Sequence, residues 1–135
     1  MRSATGNRTW LVWLVVGHLL ATFVHGGAHM GAHVATTPLQ SAFIWLVIEI
    51  GPIAGLVLVL LGRSSGGWLV AATMVGALVF GVVNHFVLAG ADRVDYVTGP
   101  WRLPFAASAG VLAFIEAAGA VAGTRYAMRC MEPSS

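Results

Sequence analysis

The sequence predicts an all-α integral membrane protein, a four-helix bundle with both termini in the cytoplasm. Three observations carry this reading. The 135-residue chain is 58% hydrophobic and only 9% charged, with a mean hydropathy of +0.84, too apolar for a soluble domain to cover itself with polar surface. Its apolar residues gather in four runs, about 10–30, 40–61, 67–90 and 104–127, each near the roughly 20 residues that cross a hydrocarbon core of about 30 Å. The runs consume nearly the whole chain, so one transmembrane domain over 1–135 is expected. Lastly, the arginines are unevenly shared: Arg2, Arg8, Arg63, Arg125 and Arg129 fall on one side of such a bundle. The other side has Arg93 and Arg102, balanced by Asp92 and Asp95, which by the positive-inside rule is extracytoplasmic.

Seven scattered arginines and no lysine form no basic patch, so nucleic acid is not an expected partner. The lipid bilayer is, in a multi-pass arrangement of the cell membrane. A cleaved signal peptide over 1–28 is a rival reading of the amino terminus, but three more spans follow and histidines interrupt the apolar core. The lone Cys130 permits no internal disulfide.

Taken in order, the first helix can be capped by Asn7 or Thr9 and anchored at the inner interface by Trp10 and Trp13. Thr36-Thr37-Pro38 starts the second, with proline acceptable in a first turn. Gly51-Pro52 falls inside it, where proline removes the hydrogen bond to the Ile48 carbonyl and a kink just beyond Glu49 is expected. Gly62 to Gly67 reads as a tight turn into the third helix. Gly99-Pro100-Trp101 sits in the longest loop. The fourth helix has Gly119 and Gly123 in GxxxG spacing among alanines, a face for close helix packing or for a homo-oligomer. "VIEIGPIAG" at 47–55 resembles "FIEAAGAVAG" at 114–123, which suggests a duplicated hairpin, each copy giving a histidine and a glutamate to a shared interior.

The candidate chemistry lies in "HLLATFVHGGAHMGAH", residues 18–33. At 100° per residue His18, His25 and His29 fall within about 40° on one helix face, with His33 continuing the stripe if the helix lasts that long. Lipid would penalise that face, so it should turn inward toward Glu49, Asn84, His85 and Glu116. Depth counting sorts these into an outer layer of His25, His29, His85 and Glu49 and an inner layer of His18 and Glu116, with Asp92 able to extend the outer layer toward water.

Imidazoles and a carboxylate from three helices suit a divalent Fe, Cu or Zn ion. The expected ligands are His25, His29, His85 and Glu49, with His18 and Glu116 able to hold a second ion or to support the first, and Glu49 and Glu116 are the candidate acid and base. Inward Glu and His are an established way for four-helix bundles to hold metals, although the Glu-x-x-His signature of the ferritin-like proteins is absent. The expected function is a membrane-embedded metal-binding protein, a metalloenzyme of oxidoreductase or hydrolase type acting on a small or lipid-like substrate from the extracytoplasmic side. The alternatives are a proton or metal-ion relay, a haem b electron carrier, and a metal-free acid-base lipid isomerase or cyclase. Met30, Met74 and Met128 read as packing residues.

Overall fold

The computed structural model describes the backbone of residues 3–132 and the side chains of residues 8–132. Arg2 of the charge argument and the final Pro133-Ser134-Ser135 lie outside the described residues. The described chain is helical without strands. Its four long helices are α1, Ser3–Gly31; α2, Pro38–Leu60; α3, Ser64–Val87; and α4, Arg102–Arg129, entered through a 3₁₀ turn at Gly99–Trp101. All four are long and apolar enough to span a membrane. Large apolar side chains such as Leu20, Phe23, Trp45 and Phe114 stand exposed on them, where acyl chains would lie.

α1 starts earlier than its expected cap. The helix is under way at Ser3, so Thr9 lies inside it rather than at its start; the Asn7 side chain lies outside the described residues. Its other end is a Schellman motif: Val34 N–H donates to the His29 carbonyl at 3.0 Å and His33 N–H to that of Met30 at 3.2 Å. His33 holds the left-handed position with φ +55°, a place usually taken by glycine. The chain therefore turns at His33, which leaves the histidine stripe and stands exposed. Since a side chain at such φ costs about 1 kcal/mol, His33→Gly is expected to raise the thermal unfolding midpoint of the detergent-purified protein without altering metal content.

In α2, Thr37 and Gln40 form a reciprocal capping box with Pro38 in the first turn. Where the kink is expected the helix widens instead: Ile44–Ile50 is π-helical, and the Gly51 N–H reaches back five residues to the Leu46 carbonyl. A second π-helical stretch, Val83–Val87, ends α3.

Small residues set the helix packing order. α3 lies along α4, α4 along α1, and α2 against α3, while α1 meets α2 chiefly over its Gly51–Leu60 half. At Gly67 and Gly123 the backbones of α3 and α4 nearly touch: a Cβ on Gly123 would fall 2.7 Å from the Gly67 carbonyl and 2.9 Å from the Ala71 nitrogen. The GxxxG face of α4 is thus occupied within one chain, Gly123 against Gly67 and Gly119 against Met74. Around this contact sits the main core of Leu11, Val15, Val59, Val70, Met74 and Tyr126, on the terminal side of the bundle. Toward the far side buried His25, His85, Ser108 and Glu116 enter the interior, beside a small apolar cluster of Ala28, Val97 and Phe105.

Candidate metal centre

Three helices and one loop deliver the polar groups. His25 and His29, one turn apart on α1, face inward as the stripe predicts, and His85 meets them from the π-helical end of α3. Their ligand atoms all lie within 4.8 Å of one another. His25 Nε2 is 3.1 Å from His85 Nε2 and 3.2 Å from His29 Nε2. An ion bound tetrahedrally at about 2.05 Å from each nitrogen would hold its ligands about 3.3 Å apart. The spacing fits.

The partners of the other ring nitrogens fix which nitrogen is bare. His29 Nδ1 donates to the Val34 carbonyl at 3.3 Å, and His85 Nδ1 donates to the Asp92 carbonyl at 2.9 Å. His25 Nδ1 lies 2.8 Å from Ser108 Oγ, whose own proton goes to the Pro104 carbonyl at 2.7 Å, so the hydroxyl accepts. With each Nδ1 protonated, three Nε2 lone pairs point at one another. That is repulsive unless a cation sits among them, and oriented imidazoles backed by oxygen acceptors are the usual surroundings of metal-bound histidine.

Asp92 adds the anion. Its Oδ1 is buried without an aligned hydrogen bond, 3.3 Å from His29 Nε2 and 3.2 Å from His85 Nδ1, whose N–H is directed at the Asp92 main-chain oxygen instead. Burial alone would raise this carboxyl. The close approach of His85, together with the facing rings of His85, His29 and His25, outweighs it and holds the group below the usual carboxylate value. The loop is tied down by Val94 N–H, which donates to the His85 carbonyl at 3.0 Å. Phe105, fully buried, packs its ring against all three imidazoles at centroid distances of 5.1, 4.8 and 5.3 Å.

The inner layer is a separate pair. His18 is fully buried; its Nε2–H donates to the Ile48 carbonyl at 2.9 Å, the oxygen to which Pro52 has no N–H to offer. This leaves His18 Nδ1 without a hydrogen bond, 3.7 Å from Glu116 Oε1. Neither His18 nor Glu116 joins the three-histidine group, and His18 spends one ring nitrogen on the backbone.

Glu49 is not brought to the centre. Half-buried on the π-helical stretch of α2, it makes no hydrogen bond or ion pair among the described residues and lines no part of the cavity beside the histidines. An α-helical count puts it at their level. The wider π turn holds more residues per revolution and so rotates Glu49 away from that face, while Ile48 beside it points inward. Of the two glutamates in the suggested duplication, Glu116 lines the cavity beside the histidines and Glu49 does not. Asn84 also faces elsewhere, accepting from Gln40 Nε2 at 3.1 Å and so tying α2 to α3.

Sequence reasoning missed Ser108, Phe105 and the backbone acceptors. Ser108 was within reach of it, since Ser108, Leu112 and Glu116 share one face of α4 at four-residue spacing. Ser108→Ala deprives the His25 N–H of its acceptor, and metal affinity is expected to fall about 10–100-fold, as loss of such partners does elsewhere; competition with a chelating dye measures it.

Comparison with protein families, with curated proteins and with solved structures gives no match for this chain. The functional reading therefore rests on the site alone.

Proposed function

We propose that the protein is a membrane metalloenzyme, oxidoreductase or hydrolase in type, in which His25, His29 and His85 hold one divalent Fe, Cu or Zn ion beside a cavity for a small or lipid-like substrate. The observation that carries this reading is the convergence of three bare Nε2 atoms, His25 being 3.1 Å from His85 and 3.2 Å from His29, with each Nδ1 proton engaged by an oxygen. An ion held by three imidazoles keeps a position open and supplies Lewis acidity or electron transfer there. The chain's own groups do the rest. Asp92 offsets the positive charge and can take a proton at Oδ1 on the loop side. Glu116, lining the cavity floor, can hold or release one beneath the substrate, with His18 Nδ1 as the neighbouring acceptor.

The arginine distribution supports an extracytoplasmic opening: Arg8, Arg63, Arg125 and Arg129 lie on the terminal side, away from the histidines. Other readings fare less well. A porphyrin plane does not fit between His25 and His85 with their Nε2 atoms 3.1 Å apart. A relay across the whole membrane meets a fully buried apolar layer of Leu11, Val15, Val59, Val70 and Met74 beyond His18.

Elemental analysis and an optical spectrum of the detergent-purified protein test the proposal. About one transition-metal ion per chain is expected, without a Soret band, and Glu49→Ala should retain it. A protein with no stoichiometric metal, or with a Soret band, overturns the reading.

A further inference from the structure

The cavity beside the centre is shaped for a particular kind of occupant. Its volume is about 680 Å³, inside the range of about 300–1,000 Å³ typical of sites that enclose organic ligands. Its wall follows α1 from Thr22 to Met30 and α3 from Ala77 to His85, about 12 Å of helix in each case. Ionisable side chains gather at two places, the histidines with Asp92 at the far-side end and Glu116 at the floor; apolar side chains and glycines line most of the rest. Thr22 spends its hydroxyl on the His18 carbonyl.

The mouth opens sideways. α1 and α2 are joined by the His18–Ile48 hydrogen bond and part above it, where α2 meets α3 rather than α1. At this gap Phe23, Met30 and Trp45 line the cavity and are 83%, 75% and 65% exposed. On helices that cross a membrane, such exposure is contact with acyl chains. An occupant can therefore pass from the bilayer to the histidines without meeting water.

Charge selects the head of that occupant. Three neutral imidazoles and the Asp92 carboxylate leave a divalent ion with one positive charge unmatched at that end, while Glu116, the other carboxyl of the cavity, lies at its floor beside His18 Nδ1. An unmatched charge in a dry site is costly, and an anion relieves it. We propose that the cavity binds a single-chain anionic lipid, a fatty-acid carboxylate, which enters between α1 and α2, sets its carboxylate at the histidine end and runs its chain past Gly26, Ile44 and Trp45 into the bilayer. The proposal rests on the reading of the three histidines as a metal centre.

Dibromostearic acid, whose bromines quench tryptophan fluorescence, and its methyl ester test the assignment on zinc-loaded protein in detergent. The acid is expected to quench saturably, the saturable component vanishing in Trp45→Phe. Gly26→Leu projects into the cavity from a position where an added Cβ meets nothing within 4 Å; it should keep its zinc and weaken the acid at least about tenfold, as should the ester in the wild type. Quenching that only tracks detergent loading, equal binding by Gly26→Leu, or equal binding of acid and ester by zinc-holding protein overturns the lipid assignment and leaves the metal centre standing. Wild-type protein that takes up no zinc, assayed on the same samples, overturns the metal reading and this proposal with it.

Discussion

His25→Ala is expected to empty the metal centre. In the proposed centre His25 is the middle ligand, its Nε2 being 3.1 Å from that of His85 and 3.2 Å from that of His29, so its loss removes the imidazole between two nitrogens from different helices. If a structural site of four ligands is worth about 10–16 kcal/mol, one ligand carries roughly 3–4 kcal/mol, and affinity should fall about 10²–10³-fold or more. The readout that separates this from a general loss of stability is the response to added metal. In the wild type, zinc at about 100 times its dissociation constant should stabilise the folded state by about 2.7 kcal/mol, seen as a raised unfolding midpoint. In His25→Ala the same zinc concentration should add no more than about 0.4 kcal/mol, whatever the starting midpoint. A variant still stabilised by zinc to the wild-type extent would show that the ion, if bound, is held elsewhere.

Gly123→Val is expected to be the most damaging substitution outside the centre. Its Cβ would lie 2.7 Å from the Gly67 carbonyl oxygen and 2.9 Å from the Ala71 nitrogen, both main-chain atoms that cannot turn aside. Relief requires α3 and α4 to separate, and overpacking of this kind costs about 3 kcal/mol or more. The same shift would draw His85 on α3 away from Ser108 on α4, so weakened metal binding should accompany the lost stability. Gly17→Ala serves as the control: its added Cβ meets nothing within 4 Å, and alanine is favoured in a helix by about 1 kcal/mol. Unfolding in a denaturing detergent titration should thus shift in opposite directions for the two variants, and equal behaviour would refute the close-contact explanation.

How much of this was legible in the sequence differs by residue. Four spans follow directly from apolar run length, and the inward turn of His18, His25 and His29 follows from helical periodicity, because an α-helix fixes relative angles along one element. The Thr37–Gln40 cap is equally local. Glu49 illustrates the limit. Its facing depends on the π-helical geometry of Ile44–Ile50, which no periodicity in the apolar residues announces. Pro52 signalled that the Ile48 carbonyl would lack its usual donor, but the donor that replaced it, His18, comes from another helix. Asp92 could be placed near the outer layer only because it follows His85 by seven residues; that its main-chain oxygen would take the His85 proton depends on the path of a loop. Val34 is in the same position, since its carbonyl reaches His29 only because His33 adopts a left-handed turn.

Ser108 and Phe105 come from α4, while His25 and His29 come from α1 at the opposite end of the sequence. No partially inserted chain can therefore contain the finished cluster: until the last span has entered the bilayer, the His25 proton has no serine to meet and the rings have no aromatic wall. An ion bound by the three histidines would gain its full set of partners only once the fourth helix is in place, and a chain truncated before Ser108 is expected to hold zinc more weakly than the full one.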